Sequence, residues 1–332
     1  MLKRFRSKSR TVLGIDLSPT AIKVIEISLQ DAKPCIEAYA YHSFPSNIKE
    51  SAKNDELTAV LKKLLLGINS TAKYAAIALP DSMVISKTIQ LVASLNDSER
   101  EELAIHEANK SLFSSEEISI DFTVLGASSE FAGMLDILLV ISKAENINKP
   151  VKAIRNAGVE VKVVELESHA LARAIGRLIS QNKVIGIIDL GYQLIRLCFI
   201  NNERILYTRE EEVFGNQQFF DVFQQTSLAQ SARQNTLLDR ESELIVLHIK
   251  RNLQFFFANS HHENVEQIYL VGERSNLVQL SKLIQEAVKI STQVANPLNG
   301  LIVAKDLNVE ELTQLGPSFS VAIGLALRAI AC

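Results

Sequence analysis

The sequence predicts an α/β protein of two halves that share a topology, and three stretches predict it. "VLGIDLSPTAIKVIEI" (12–27) reads as strand, tight turn, strand. Apolar β-formers run to Asp16, Ser18-Pro19-Thr20 turns the chain, and the next apolar run carries one cation, Lys23. "IGIIDLGYQLIRLCF" (185–199) repeats the pattern, with Asp189 at the place of Asp16, Gly191 at that of Ser18 and Arg196 at that of Lys23. "VEQIYLVGERSNLVQLSKLIQEAV" (265–288) adds a short strand, Gly272 and an amphipathic helix whose Leu277, Leu280, Leu283, Ile284 and Val288 fall near one face.

A pair of related segments this far apart fits two domains of one topology, not a short-period solenoid. Two hairpin turns facing across a cleft can aim backbone N–H groups at a polyphosphate. Asp16 and Asp189 would then hold the water shell of a Mg²⁺, which prefers few carboxylates together with phosphate and water. Spacing alone leaves equally open two unrelated buried hairpins, each with an Asp that satisfies turn amides. Gly272 admits a ligand close to the backbone, although many α/β proteins carry such a turn with no ligand.

Two further stretches complete the pattern. In "EEEVFGNQQFFDVFQQ" (210–225), Gly215-Asn216 precede a helix whose start either binds an anion or is capped by Asn216. In "LGPSFSVAIGLALRAI" (315–330), a Gly-Pro stop precedes a helix with Ala322, Gly324 and Ala326, small enough for close packing against the core.

Composition narrows the class. The chain has 332 residues, 47% hydrophobic, enough for a large core and more than one domain. A net charge of -3 dictates no partner. Three scattered cysteines fit a reducing compartment better than a disulfide framework. There is no long uninterrupted apolar run, and residues 1–10 carry five cations and no acid rather than a signal-peptide core. That basic start reads as a solvated tail, or as a weak attraction to an anionic membrane surface of about 1 kcal/mol per cation. The default expectation is a cytoplasmic protein.

The segments occur in the order of the phosphate 1, phosphate 2, adenosine and connecting motifs of the actin-like ATPase superfamily. With "AIALPDSMVISKTIQL", "LNDSEREELAIHEANKSLF", "EEISIDFTVLG", "DILLVISKAENI", "IRNAGVEVKVVELESHALARAI", "FGNQQF", "IYLVGE" and "GPSFSVAIGLALR", nearly the whole chain resembles the type IV pilus assembly protein PilM family. The counterpart in the mannose-sensitive haemagglutinin pilus system is a close alternative, and the cell-division protein FtsA is more distant.

The resemblance implies an actin-like two-half fold with duplicated ribonuclease-H-like core subdomains and a small inserted α/β subdomain. After a basic tail at 1–9, the first core takes 10–83 with 165–184 and 315–332, and the insert takes 84–164. The second core takes 185–208 and 265–314, and a smaller subdomain takes 209–264. Within the insert, a helix is expected from near Ser98, with Glu101 three residues on as its capping partner.

The same resemblance implies ATP and Mg²⁺ in the cleft. Asp16, Ser18, Thr20, Lys23, Asp189, Gly191, Gly215, Asn216, Gly272 and Glu273 stand at the nucleotide, and Asp16 and Asp189 at the metal. It implies a scaffold on the cytoplasmic face of the inner membrane, touching the membrane only peripherally. The partner is the N-terminal cytoplasmic tail of the membrane protein PilN, with other pilus-machine proteins as further candidates. Ile89, Leu91 and Leu103 of the insert are the expected partner-binding residues. The oligomeric state stays open, a homo-oligomer among the possibilities.

The chain departs from the family pattern at Pro19, which removes an N–H donor, at Phe214-Gly215 and Phe219, and at Gly272-Glu273, where the second residue of a Gly pair becomes an acid. No catalytic residue is assigned. An active ATPase or a sugar-kinase-like phosphotransferase on the same fold is the alternative, but Asp81 alone follows "IALP" with no sugar-binding pattern. His261-His262 lacks further ligands at zinc spacing. "LQFFFANS" (253–260) has no basic stripe beside it, which argues for core rather than nucleic-acid binding.

Overall fold

The computed structural model describes residues 11–44, 50–110, 117–128, 130–179, 183–192, 194–202, 204–212, 232–259, 264–277 and 279–332. It divides into two compact units, Met1–Ala78 with Ile154–Cys332, and Leu79–Ala153.

In the larger unit, β1 (Val12–Leu17), β2 (Ala21–Gln30) and β3 (Lys33–Ser43) form an antiparallel meander. The β2–β3 turn is Asp31-Ala32, both at positive φ, as the twist of a two-residue hairpin requires. Helix α1 (Glu50–Gly67) returns the chain to β4 (Tyr74–Leu79), parallel to β1.

The smaller unit contributes β5 (Val84–Val92), α2 (Asp97–Lys110), β6 (Ile118–Ala127) and β7 (Met134–Lys143). Helix α3 (Ala144–Asn156) leads back to β8 (Glu160–Leu166) and α4 (Glu167–Gly176). A second meander follows: β9 (Val184–Leu190), β10 (Leu194–Asn201) and β11 (Arg204–Glu212). Then come α5 (Ala232–Asn259), β12 (Gln267–Val271), α6 (Leu280–Val288), β13 (Ser291–Val294) and β14 (Ile302–Val303). Helices α7 (Val309–Leu315) and α8 (Ser320–Ala331) end the chain, joined by a 3₁₀ turn at Gly316–Phe319.

The duplication is visible in the strand order. The first sheet runs β14-β3-β2-β1-β4-β8 and the second β11-β10-β9-β12-β13. Apart from β14, each is an antiparallel three-strand meander continued by two strands reached through crossovers. β1, β2, β9 and β10 read as almost unbroken apolar runs because both of their faces are covered.

One covering layer is α4 and α8, which share a buried cluster with both sheets: Val12 and Ile25 from the first, Ile185 and Ile187 from the second, and Leu171, Ile323 and Leu325 from the helices. Full burial of such side chains stabilises by roughly 1.5–3 kcal/mol each. The close approach needs two glycines. A Cβ on Gly14 of β1 would lie 1.9 Å from the Ala322 carbonyl oxygen, and one on Gly324 would lie 2.0 Å from that of Ala170. The small residues read from "SVAIGLALR" therefore do the expected packing. The stretch Val309–Ala331 is long and apolar enough to count as a membrane-span candidate, with mean hydropathy 1.3, yet its α8 part is this core helix. Beyond the second sheet, α5 and α6 bury Ile245, Ile249, Phe256, Leu280 and Ile284, and Phe199 stacks on Phe256 with centroids 4.4 Å apart.

Two local expectations shift. The helix after Gly272 starts only at Leu280, so Gly272 sits in a run of turns, not at a helix N-terminus, and Leu283 is exposed. The capping box of α2 is Asn96/Glu99, not Ser98/Glu101. The Asn96 N–H donates to Glu99 Oε2 at 2.8 Å and the Glu99 N–H to Asn96 Oδ1 at 3.0 Å. Asn caps as well as Ser does, and it stands where the chain leaves the preceding turn.

In the smaller unit the antiparallel sheet β5-β7-β6 carries α2 on one face. Ala104 and Ala108 of α2 meet Ile89, Ile137, Leu139 and Ile141.

Candidate functional site

Strand register places the two aspartates in matching rows of side chains. In the first meander Asp16 on β1 is opposite Lys23 on β2, which is opposite Tyr41 on β3. In the second, Asp189 on β9 is opposite Arg196 on β10, which is opposite Glu210 on β11. Residues opposite one another share a face of the sheet, so each row is a contact set. Lys23 Nζ donates to Asp16 Oδ2 at 3.0 Å. Arg196 donates through Nη1 to Asp189 Oδ2 at 2.7 Å and through Nε to Glu210 Oε1 at 2.8 Å.

The rows differ in their third member, and that difference joins the halves. β11 supplies a carboxylate to its cation, whereas β3 supplies a tyrosine. The second carboxylate for Lys23 comes from the other half: Glu273 Oε1, in the turns after β12, lies 2.6 Å from Lys23 Nζ. Arg196 in turn reaches Glu167, the first residue of α4. Lys23, Asp16, Glu273, Arg196, Glu167 and Glu210 all have side chains less than a tenth exposed. A buried ion left alone costs several kcal/mol, so pairing is obligatory here.

Glycines shape the same place. Gly272 has φ +90, and a Cβ on it would lie 2.4 Å from Asp189 Oδ1 and 2.7 Å from the Leu190 backbone. Its N–H donates to the Pro317 carbonyl at 2.9 Å, and the Arg274 N–H to the Leu190 carbonyl at 3.0 Å, which fixes the turn against β9. A Cβ on Gly191 would lie 3.8 Å from Glu273 Oε2. Glu273 thus stands between the first turn's cation and the second turn's glycine. Arg274 points the other way, into a buried ion pair with Glu241 of α5.

The electrostatics follow from crowded carboxylates out of water. Burial alone would lower the Lys23 ammonium, but Asp16 and Glu273 outweigh it and hold the group above its usual range. Burial, then the Glu273 carboxylate, push Asp189 up to about 7, against the pull of Lys23. Burial and then Glu273 likewise push the Tyr41 phenol to about 12 and raise that of Tyr192.

Of the nucleotide residues expected from the sequence, Asp16, Lys23, Asp189, Gly191, Gly272 and Glu273 converge. Ser18 and Thr20 lie in the adjoining β1–β2 turn. There the Ser18 hydroxyl donates to the Ala21 carbonyl and accepts from the Ala21 N–H, both at 3.0 Å, so it closes its own turn. Thr20 is buried and its carbonyl accepts from the Phe44 N–H at 2.8 Å. Gly215 and Asn216 lie outside the described residues, as does His261-His262. In the smaller unit Ile89 is buried beneath α2 and Leu91 packs partly against the same cluster, while Leu103 is 41% exposed.

Sequence reasoning missed Glu167 and Glu210. Glu210 is legible only once β11 is known to pair with β10, and Glu167 only once α4 is known to lie between the sheets.

The donor set bears on a Mg²⁺-nucleotide as follows. One cation from the first half and two aspartates at matching strand positions are groups a metal-bridged phosphate would use, but the glycine backbone is not open to it: the Gly191 N–H donates to the Leu194 carbonyl at 3.0 Å and the Gly272 N–H to that of Pro317, and Asp189 and Leu190 fill the space where a Gly272 Cβ would stand. A phosphate placed here would meet Lys23, and a hydrated metal would meet Asp16 and Asp189. Asp16, Asp189 and Glu273 all oppose a bare anion, and Glu273 is the one that holds Lys23 from the other half. Among the described residues, no group of three or more His, Cys, Asp or Glu is arranged to hold a metal by itself.

A duplicated meander-and-crossover core, with paired acids and cations where the halves meet, defines an actin-like fold. Comparison with known proteins agrees. The family described as type IV pilus assembly protein PilM matches residues 14–330, and the chain belongs to that family. A solved structure described as a PilM-PilN type IV pilus biogenesis complex is similar at TM-score 0.77 and 23% identity, covering 96% of this chain and 98% of that one. The ethanolamine utilization protein EutJ from Carboxydothermus hydrogenoformans is similar at TM-score 0.53 and 13% identity, covering 96% and 89%. At these identities the likeness is one of fold.

Proposed function

We propose that this type IV pilus assembly protein is a scaffold, peripheral to the cytoplasmic face of the inner membrane, that binds the N-terminal cytoplasmic tail of a PilN-type membrane protein. The observation that carries the reading is the family match over residues 14–330. The PilM-PilN complex, aligned along 96% of the chain, supports the choice of partner.

In this reading the tail docks on the 79–153 unit. Leu103 is its exposed apolar contact, and Ile89 and Leu91 hold the strand beneath α2 in place. An extended tail or a few apolar anchors both suit such a surface. ATP with Mg²⁺ is the ligand of the larger unit, set among Asp16, Ser18, Thr20, Lys23, Asp189, Gly191, Gly215, Asn216, Gly272 and Glu273. It is bound as a structural ligand rather than turned over. When bound, its metal would supply positive charge beside Asp16 and Asp189, and its phosphates negative charge beside Lys23.

The test is a pull-down of the full chain with a synthetic peptide of the co-encoded membrane protein's N-terminal tail. Leu103→Asp should weaken capture at least tenfold and leave the melting temperature within about a degree, as exposed substitutions change stability little. Capture that is equal for both proteins, with cross-links only beyond residue 185, would move the partner surface to the second half.

A further inference from the structure

We propose that Glu273 is an internal stand-in for phosphate: its carboxylate competes with an anionic ligand for Lys23 and so sets how tightly the cleft takes a nucleotide. The inference deepens the nucleotide reading above and rests on it. The placement of Glu273 carries the inference.

One carboxylate oxygen, Oε1, is 2.6 Å from Lys23 Nζ in the first half's row. The other, Oε2, is 3.8 Å from where a Cβ on Gly191 would stand, in the second half's turn. One carboxylate thus lies between the cation on β2 of the first hairpin and the turn of the second. The side chain is held from behind. Gly272 is locked at φ +90 against Asp189 and Leu190, and the next residue, Arg274, is anchored through its N–H to the Leu190 carbonyl and by its side chain to Glu241. Glu273 is 8% exposed at the side chain, so water does little of the work of neutralising Lys23.

The first-half row explains why the acid is needed. Tyr41 occupies the place that Glu210 occupies beside Arg196, so Asp16 is the one carboxylate Lys23 meets in its own row. Phosphate can fill the place of a second carboxylate only if Glu273 yields it. The anionic surroundings sharpen the competition, since Asp16 and Asp189 flank the same spot and repel a further anion that brings no metal. The cleft therefore favours a nucleotide accompanied by Mg²⁺ over free phosphate, and favours either far less than a cleft without Glu273 would.

The experiment is calorimetric titration of Mg·ATP, and separately of inorganic triphosphate, into the full chain, Glu273→Gln and Glu273→Gly, each checked for folding by circular dichroism. Glu273→Gln and Glu273→Gly should bind Mg·ATP at least tenfold more tightly than the wild type, and adding Lys23→Met should abolish the gain. Equal or weaker binding by the Glu273 variants, with the wild type binding, overturns the stand-in and leaves the nucleotide reading intact. No binding by any protein up to millimolar Mg·ATP overturns the nucleotide reading, and the competition with it. A wild-type measurement that needs no variant is hydrogen exchange without nucleotide. The Gly272 and Arg274 amides, which donate to the Pro317 and Leu190 carbonyls, should be protected like those of β9, and fast exchange there overturns the stand-in.

Discussion

Lys23 and Glu273 form a buried ion pair at 2.6 Å between two halves of the fold that are far apart in the chain. Arg196 and Glu167 make the opposite link, with the cation on the second half and the acid on α4. Each half thus satisfies its central cation partly from the other. The arrangement explains why so many charges are tolerated where α4, α8 and the two sheets otherwise form an apolar core.

Removing one partner of such a set should be costly. Lys23→Met leaves Asp16 and Glu273 buried without their cation, and a loss of about 3–5 kcal/mol is expected in urea unfolding. Lys23→Met with Glu273→Gln should recover part of that loss, because the second change removes a stranded charge. A double variant as unstable as the sum of the single changes would mean that the two residues do not interact.

The glycine contacts predict a sharp contrast. Gly14→Ala puts a methyl 1.9 Å from the Ala322 carbonyl oxygen, and backbone on both sides cannot yield cheaply. The expected loss is about 3 kcal/mol or more, at the upper end for overpacking. Gly67→Ala, at the end of α1 with nothing within 4 Å of the new methyl, should be neutral or slightly stabilising. Similar melting temperatures for the two variants would contradict the packing of α8 on β1.

Asp189 predicts a pH dependence. Its folded value, about 7, lies above the ordinary 3.8, chiefly from burial and Glu273. A raised carboxyl contributes stability that is fully present below its unfolded value and lost as pH rises through the folded one. Stability attributable to this group should therefore fall between about pH 4 and 7, by on the order of a few kcal/mol at most. Asp189→Asn keeps a hydrogen-bonding oxygen for Arg196 and removes the titration. Denaturant midpoints measured at pH 5 and pH 8 should differ less in Asp189→Asn than in the wild type, and an equal difference would refute the assignment.

Much of this was legible along the chain. The segments around Asp16 and Asp189 announce the duplication because the same local physics is written twice: an apolar run, an acid at its end, a short turn, an apolar run with one cation. The small residues of 320–331 announced close packing because only missing side chains let a helix lie that near a strand. The shift of the α2 cap from Ser98 to Asn96 was not legible, since both residues cap well and the sequence carries an acid three positions after each.

The sequence by itself determined the elements, their duplication and the acid–cation pairs within each hairpin, because those depend on neighbours a few residues apart. Only the tertiary structure decided which charges neutralise one another between the halves. That Glu273 serves Lys23, that Glu167 serves Arg196 and that Tyr41 leaves the place Glu273 fills all depend on how two sheets meet around α4 and α8. Coulomb energy in a buried site is set by distances of a few ångströms between residues the chain keeps far apart, and no local pattern encodes those distances.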